Sequence, residues 1–174
     1  MSDMTKESKV VVLDLINSDN NKGITYGVVD IGLPTVNSTG DKNTSVTLTA
    51  KVGSGFVGSQ TFKYNRLHLN TAILVPSGKD ATFNLGDAVN IADIIPELNA
   101  LLSINLGPDD FVDGVLPTFT GGIPNETHDV QVVAKADSLA YIGSLTFQLQ
   151  SDEIDLAEYL TVTELNGLTY VPVA

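Results

Sequence analysis

Two stretches of the chain, AKVGSGFVGSQTF at residues 50–62 and AKADSLAYIGSLTF at residues 134–147, decide the fold because they repeat one another. When Ala50-Lys51 is placed on Ala134-Lys135, and one inserted residue is allowed in the second stretch, the Gly-Ser and Thr-Phe pairs also coincide. Chance alternation of apolar residues would not place these landmarks in the same order. The sequence therefore predicts an internal duplication.

Each stretch is predicted to contain a β-hairpin. The residues that lead into it, TSVTLTAKV (44–52) and HDVQVVAKA (128–136), are apolar at every second position, as in a strand with one buried face. The turn is predicted at Gly53-Ser54-Gly55 in the first copy and at Asp137-Ser138 in the second. The second strands are predicted in SQTFKYNRL (59–67) and SLTFQLQ (144–150).

A helix is predicted ahead of each hairpin, over residues 6–18 and 93–103. Thr5 is suited to cap the first helix, and Pro96 fits the first turn of the second. The apolar faces that we expect to point inward consist of Val11, Val12, Leu15 and Ile16 in the first helix and of Ile95, Leu98, Leu101 and Leu102 in the second.

The predicted fold is α+β, with two tandem related units that are each a small antiparallel β-sheet or sandwich with one or two short helices. Residues 1–80 form the first unit and residues 81–174 the second. The tail of the first unit is predicted as a strand followed by a linker. The tail of the second is predicted as a helical turn and a terminal strand around Leu168–Val171. Units of this size bury modest cores, so we expect them to pack together or share a sheet.

Composition excludes several classes of function. Hydrophobic residues make up 43% of the 174 residues and charged residues 17%, which is typical of a globular protein. The absence of Cys excludes disulfides, thiol catalysis and Cys-ligated zinc. The net charge of −12 disfavours nucleic acid as a partner, because affinity for phosphate depends on Lys and Arg.

The sequence gives no sign of a membrane partner. The apolar run near the N-terminus is only about seven residues long and contains Asp14, which is unlike a signal peptide. No apolar stretch approaches the roughly 20 residues that span a bilayer. The protein is therefore expected to be made in the cytosol and to stay in solution.

Three features of the sequence could indicate a binding or catalytic site, and each has a simpler structural interpretation. His68 and His128 have no partner at metal-ligand spacing, so both are predicted to lie at the surface or at strand edges. Residues 17–23 resemble a calcium loop, but Gly23 and Val28 stand at the wrong positions, which favours a polar helix end. Gly53-Ser54-Gly55 lies between strands, so it is predicted to be a hairpin turn and not a phosphate-binding loop.

Two pairs of acids, Asp109-Asp110 and Asp152-Glu153, could in principle act as the acid and base of a glycosidase. Paired acids are common at the beginnings of helices, and Asp109-Asp110 follows Pro108, which suits a first turn. We therefore predict no catalytic residue, no metal site and no cofactor.

Tyr64-Asn65-Arg66 is the one polar and aromatic cluster that the second copy lacks, since Leu149-Gln150-Ser151 stands there. Two interpretations are open. Tyr64 packs in the core while Arg66 faces solvent or pairs with an acid, or the cluster makes a contact specific to the first copy across an interface. Tyr64, Asn65 and Arg66 are accordingly the candidate interface residues.

The sequence resembles a repeated domain of virion structural proteins from large contractile-tailed bacteriophages. The resemblance depends on Ile24-Thr25, Gly32-Leu33-Pro34, the stretch GSGFVGS at 53–59, Tyr64-Asn65-Arg66-Leu67 and the closing residues LNGLTY at 165–170. It covers most of the first copy and, more loosely, the second, which lacks the Gly-Ser-Gly turn and Tyr-Asn-Arg. The resemblance implies a structural protein present in many copies, and it implies no catalytic residues.

The expected function is therefore that of a non-enzymatic virion structural protein, as an exterior decoration or accessory component of the head or tail. Its expected partners are other virion proteins of the capsid, neck or tail and further copies of itself, bound through many weak contacts. The alternative is a carbohydrate- or receptor-binding adhesion module, which would present exposed aromatic residues with acids or amides on one loop face.

Overall fold

A computed structural model describes residues 3–120, 123 and 125–163 of the chain. In the first half, residues 3–65, one helix lies against an antiparallel sheet. Its elements in chain order are α1 (Ser8–Asn20), β1 (Val29–Ile31), β2 (Thr35–Val36), β3 (Thr44–Ala50) and β4 (Ser59–Tyr64). β3 is central: β1 and β2 pair with one of its edges and β4 with the other.

Residues 66–85, which we call the connector, run from the first half onto the second. They form β5 (Leu67–His68), a π-helical segment (Leu69–Leu74), α2 (Val75–Ser77) and β6 (Thr82–Asn84). This differs from the predicted strand and linker. Leu69 and Ile73 are buried in the core of the second half, and coiling brings these two side chains to the same face.

The second half, residues 86–150, repeats the arrangement of a helix against a hairpin. Its elements are α3 (Ile91–Leu102), β7 (Thr127–Val133), β8 (Tyr141–Ile142) and β9 (Ser144–Gln150). β9 pairs antiparallel with β7 and parallel with β6, and β8 pairs parallel with β5. The connector therefore supplies a strand to each of two sheets in the second half.

Residues 151–163, which we call the trailing segment, follow β9 and contain α4 (Leu156–Tyr159). The predicted helical turn in this part of the chain is confirmed. The terminal strand predicted around Leu168–Val171 lies outside the described residues. Among the described residues, no helix combines the length and the apolar character that crossing a bilayer requires.

Both predicted helices exist, but each begins two residues away from its predicted start. α1 begins at Ser8, so Thr5 is too far upstream to cap it, and the Thr5 hydroxyl donates to Asp3 instead (2.6 Å). The prediction that Thr5 caps this helix was wrong. The residues that the helix buries include Val11, Val12 and Ile16, as expected.

α3 begins earlier than predicted because a capping interaction precedes Ile91. The Asp93 carboxylate accepts hydrogen bonds from the backbone N–H groups of Asn90 (2.8 Å) and Val89 (2.9 Å), and these bonds lower the pKa of Asp93. Pro96 consequently lies inside the helix and not in its first turn. Ile95, Leu98 and Leu102 are buried, as the apolar pattern predicted.

The two hairpins have the same strand register. Val46 pairs with Phe62 in the first half, and the aligned residues Val130 and Phe147 pair in the second. The first turn lies at Gly53-Ser54-Gly55, as predicted, where the Ser54 N–H donates to the Lys51 carbonyl. The aligned Ser138 N–H donates to the Lys135 carbonyl at the same distance, 3.1 Å.

The cores of the two halves are also built at aligned positions. Seven buried residues pack together as the core cluster of the first half, namely Val12, Leu13, Ile16, Val29, Val46, Leu48 and Tyr64, and their counterparts in the second are Ile94, Ile95, Leu98, Phe111, Val130, Val132 and Leu149. Every one of these counterparts is buried. A division into two tandem units with a boundary at residue 80 stays a prediction, and the connector, which crosses that boundary, packs in the second core.

Candidate interaction surface

Tyr64, Asn65 and Arg66 lie where β4 leads into the connector, and all three make contacts inside the chain, with Tyr64 and Arg66 buried. The Arg66 side chain is 5% exposed. Its Nη1 donates to the carbonyls of Ala136 (2.8 Å) and Ser138 (2.9 Å), and its Nε donates to Thr44 Oγ1 (3.0 Å). The Tyr64 hydroxyl donates to the Leu139 carbonyl (2.7 Å). Both side chains therefore bind the turn of the second hairpin.

Asn43, in the loop before β3, holds this cluster in place. Its side chain accepts from the Arg66 N–H (2.9 Å) and donates to the Arg66 carbonyl (3.0 Å). The Asn43 N–H donates to the Asn65 side chain (2.8 Å). Asn65 is exposed, so it is the one member of the predicted interface trio whose surface is open to a partner. A contact of the trio with another molecule stays a prediction.

Burial changes the acidity of both buried members of the cluster. It raises the pKa of Tyr64 to about 12, and the nearby Arg66 charge opposes this change. Burial also lowers the pKa of Arg66. The Tyr64 hydroxyl consequently keeps its proton at neutral pH and remains the donor to Leu139.

A second buried polar contact joins α1 to the second half. The Asp110 carboxylate accepts from the hydroxyls of Ser8 and Ser138 (both 2.6 Å) and from the Gly107 N–H (3.1 Å). It lies beside a cleft of about 470 Å³ between the halves. Since one of its oxygens is shared by two hydroxyl donors, Asp110 acts as a structural acceptor.

The acids that were considered for catalysis have structural surroundings. Pro108-Asp109-Asp110 forms a turn and not the first turn of a helix, so that part of the interpretation was wrong. Asp109 is exposed, whereas Asp110 is buried in the contact just described. Asp152 accepts from the Gly86 N–H (2.7 Å) and so ties the trailing segment to the start of the second half.

The two histidines lie at strand ends, in different surroundings. His68 Nδ1 accepts from the Asn70 N–H (3.3 Å), and its ring covers Gly143. His128 Nε2 lies 2.9 Å from Glu126 Oε1, and its ring meets Phe119 edge to face at 4.9 Å. In the part of the chain that the structure describes, no group of three His, Asp or Glu residues is arranged to hold a metal ion.

The stretch that resembles a calcium loop is a helix end closed by an asparagine. The Asn17 side chain accepts from the Ile24 N–H (2.8 Å) and donates to the Ile24 carbonyl (2.7 Å). Asn99 does the same with Leu106 after α3, at 2.9 and 3.2 Å. Sequence reasoning missed this pair, although Asn17 and Asn99 are separated by the same 82 residues as Ile24 and Leu106.

The lysines of the two Ala-Lys landmarks also make matching contacts. The Lys51 ammonium donates to the Tyr26 carbonyl, and the Lys135 ammonium donates to the Pro108 carbonyl (2.7 Å). Each lysine thereby joins the end of its hairpin strand to the turn that follows its helix. The repeated Ala-Lys pair was visible in the sequence, but the lysine contacts that explain it could be seen only in the structure.

The turn of the first hairpin carries the most exposed apolar side chains near a strand end. Val52 and Val57 are fully exposed, and Phe56 is more than half exposed. In the second hairpin, Ala140 and Tyr141 are buried under the connector. β4 pairs only with β3 among the described residues, whereas β9 has a neighbour on both edges. The first half therefore presents an uncovered turn and an open strand edge.

Comparison with known proteins identifies a family for this chain. The model of a family of unknown function, DUF7941, matches residues 1–173. The chain belongs to this family. No curated protein matches the DUF7941 chain. No solved structure matches it either.

Proposed function

We propose that this DUF7941 protein is a non-enzymatic structural component of a bacteriophage virion, placed on the exterior of the head or tail in many copies. The observation that carries the proposal is the uncovered turn of the first half. Contiguous exposed apolar side chains mark surfaces that bind other proteins, and Val52, Phe56 and Val57 lie within six residues of one another. The similarity of the sequence to repeated domains of virion structural proteins supports the same conclusion.

The buried polar groups of the molecule support a structural role for the protein. Arg66, Asp110 and Tyr64 are buried in contacts between the halves, where each stabilises the relative position of two segments. A body held together by such contacts, with exposed apolar side chains, is suited to a repeated contact on a symmetric particle, because many weak contacts give a large avidity. The net charge of −12 favours a position away from packaged DNA.

Mass spectrometry of purified virions from the phage that carries this gene tests the proposal. The expected result is a chain that remains with the particles through a density gradient, in amounts comparable with other structural proteins. The control is a non-structural phage protein from the same lysate, which should be lost. Absence of the chain from the particles would overturn the proposal.

Surface labelling of intact particles tests the exterior position. Lys22 and Lys42 are exposed and lie outside β4, and an amine-reactive reagent that cannot enter the particle should modify them before the virions are opened. Labelling only after disruption would contradict an exterior place. Particles that carry a few copies, and that lose binding to host glycans when the protein is removed, would favour the adhesion module.

A further inference from the structure

The connector covers the turn of the second hairpin through a continuous set of contacts. The Leu67 N–H donates to the Ala140 carbonyl (2.8 Å), and Leu67 pairs with Tyr141 in a parallel register. Leu69 is completely buried against the second core. Further along, Phe83 of β6 meets Phe147 of β9 edge to face at 5.5 Å. The second half is therefore completed by the segment that precedes it in the chain.

Among the described residues, no segment covers the same surface of the first half. Gly58 aligns with Gly143, and a side chain at Gly143 would lie 2.1 Å from the His68 ring, whereas Gly58 has nothing within 4 Å. Phe62 aligns with Phe147 but is only partly buried. It lies on β4, whose outer edge has no strand partner in the described part of the chain. Each element that the connector covers in the second half thus has an uncovered counterpart in the first.

The trailing segment is the counterpart of the connector. It follows β9 as the connector follows β4, and it carries apolar residues at two aligned positions, Ile154 at the position of Leu69 and Tyr159 at that of Leu74. Acids stand at two others, where Asp152 and Glu158 align with Leu67 and Ile73. Its helix α4 aligns with the end of the π-helical segment. Ile154 is 69% exposed where Leu69 is completely buried. Among the described residues, the trailing segment therefore exposes apolar side chains at two positions where the connector buries or partly buries them.

Charge decides which half can receive the trailing segment. Residues 151–163 contain four acids and no base. Residues 86–150 contain nine acids and one base, so the net charge of the second half opposes the docking of an acidic segment from another copy. Residues 1–65 contain six acids and six bases, among them the exposed Lys63 on β4. The first half is thus the electrostatically favoured site.

We propose that the trailing segment of one copy docks on the uncovered turn and the open β4 edge of a second copy, repeating between copies the contact that the connector makes within one. The arrangement is head to tail, since the two surfaces differ, and it forms chains or closed rings. It deepens the self-contact proposed above but does not require a place in a virion. Self-association of the purified chain tests the contact between copies, and the composition of purified virions tests the proposed place in a virion.

The contact between copies is weaker than the contact within the chain. Ser151 stands where the connector has Arg66, so the three hydrogen bonds of the guanidinium have no counterpart. Apolar burial must then supply most of the affinity. Because each copy carries a net charge of −12, association is expected to depend on concentration and to be opposed by repulsion between copies at low salt.

The test is sedimentation of the purified full chain over a range of concentrations, together with three variants. Val57→Asp places a charge in the uncovered turn, and Ile154→Asp places one on the trailing segment. Val115→Asp changes an equally apolar exposed residue of the second half and serves as the matched control. Circular dichroism checks that all three keep the wild-type melting temperature, as substitutions of exposed residues should.

The wild-type chain and Val115→Asp are expected to grow in mass with concentration. Val57→Asp and Ile154→Asp should each bind about tenfold or more weakly, because a charge must enter an apolar contact. A mixture of these two variants should form a one-to-one complex that grows no further, since each still has one intact surface. A wild-type chain that stays monomeric up to about 1 mM would overturn the proposal. So would a mixture that forms no complex.

Discussion

Gly143 in the second half lies under the ring of His68, whereas the aligned Gly58 in the first half faces open space. The two glycines belong to hairpins with the same register and to cores built at aligned positions. The difference lies in the connector, which packs Leu69, Ile73 and Phe83 onto the second half. Two hairpins of the same register are thus covered by the connector in the second half and, among the described residues, left uncovered in the first.

Truncation of the connector side chain Leu69 should have the largest effect. Leu69→Ala removes a completely buried side chain from the second core and is expected to cost about 3–4 kcal/mol of unfolding free energy, as other buried leucines do. Val75→Ala, at an exposed position of the same connector, is the control and should change it by less than about 0.5 kcal/mol. Urea denaturation measures both. Equal effects would show that the connector is not part of the second core.

Loss of the Arg66 guanidinium should come next. Arg66→Ala leaves the carbonyls of Ala136 and Ser138 without a donor in a buried contact, with an expected cost of about 3 kcal/mol. Lys63→Ala, at an exposed position of β4 three residues earlier, is the control. Arg66→Lys should restore only part of the loss, because an ammonium cannot reproduce the planar fork. Full restoration by lysine would contradict this geometry.

Substitution of the aligned glycines Gly58 and Gly143 tests whether the connector covers the second hairpin. Both residues have positive φ, +83° at Gly58 and +73° at Gly143, so alanine is strained at either position. Gly58→Ala should cost about 1 kcal/mol from this strain alone. Gly143→Ala must in addition displace the His68 ring, for a total of about 2–3 kcal/mol. Thermal denaturation of both variants decides the point, and equal losses would mean that the connector does not cover Gly143.

The asparagine pair tests the similarity of the halves and should have the smallest effect. Asn17→Ala and Asn99→Ala each remove a side chain that makes two hydrogen bonds to one backbone unit. Each variant should lose about 1–2 kcal/mol, and the two losses should agree within about 0.5 kcal/mol. A large loss of unfolding free energy at one position and none at the other would show that the two helix ends are not stabilised in the same way. Chemical denaturation provides the measurement.

The hairpins and helices could be predicted because their signals are local. Alternation along residues 44–50 and 127–133 identified the strands, and the apolar pattern identified the buried face of α3. The start of α3 was misplaced because Pro96 suggested a first turn, while the capping contact of Asp93 determines where the helix begins.

The role of the connector could not be predicted, because its contacts join residues far apart in the chain. Arg66 binds the carbonyl of Ala136, 70 residues away, and nothing near Arg66 indicates that partner. The same limit applies to the interface trio, since all three members make contacts within the chain and two of them, Tyr64 and Arg66, are buried. The resemblance to virion proteins indicated a contact surface but not which half presents it.

Hydrogen exchange of the two hairpins, followed residue by residue at low protein concentration, tests the central comparison most directly. The Gln148 N–H donates to the Ala81 carbonyl beside β6, and its counterpart on β4 is the N–H of Lys63, on the open edge. The account predicts that the Gln148 amide exchanges at least about 100-fold more slowly than the Lys63 amide. Equal protection of the two amides would contradict it.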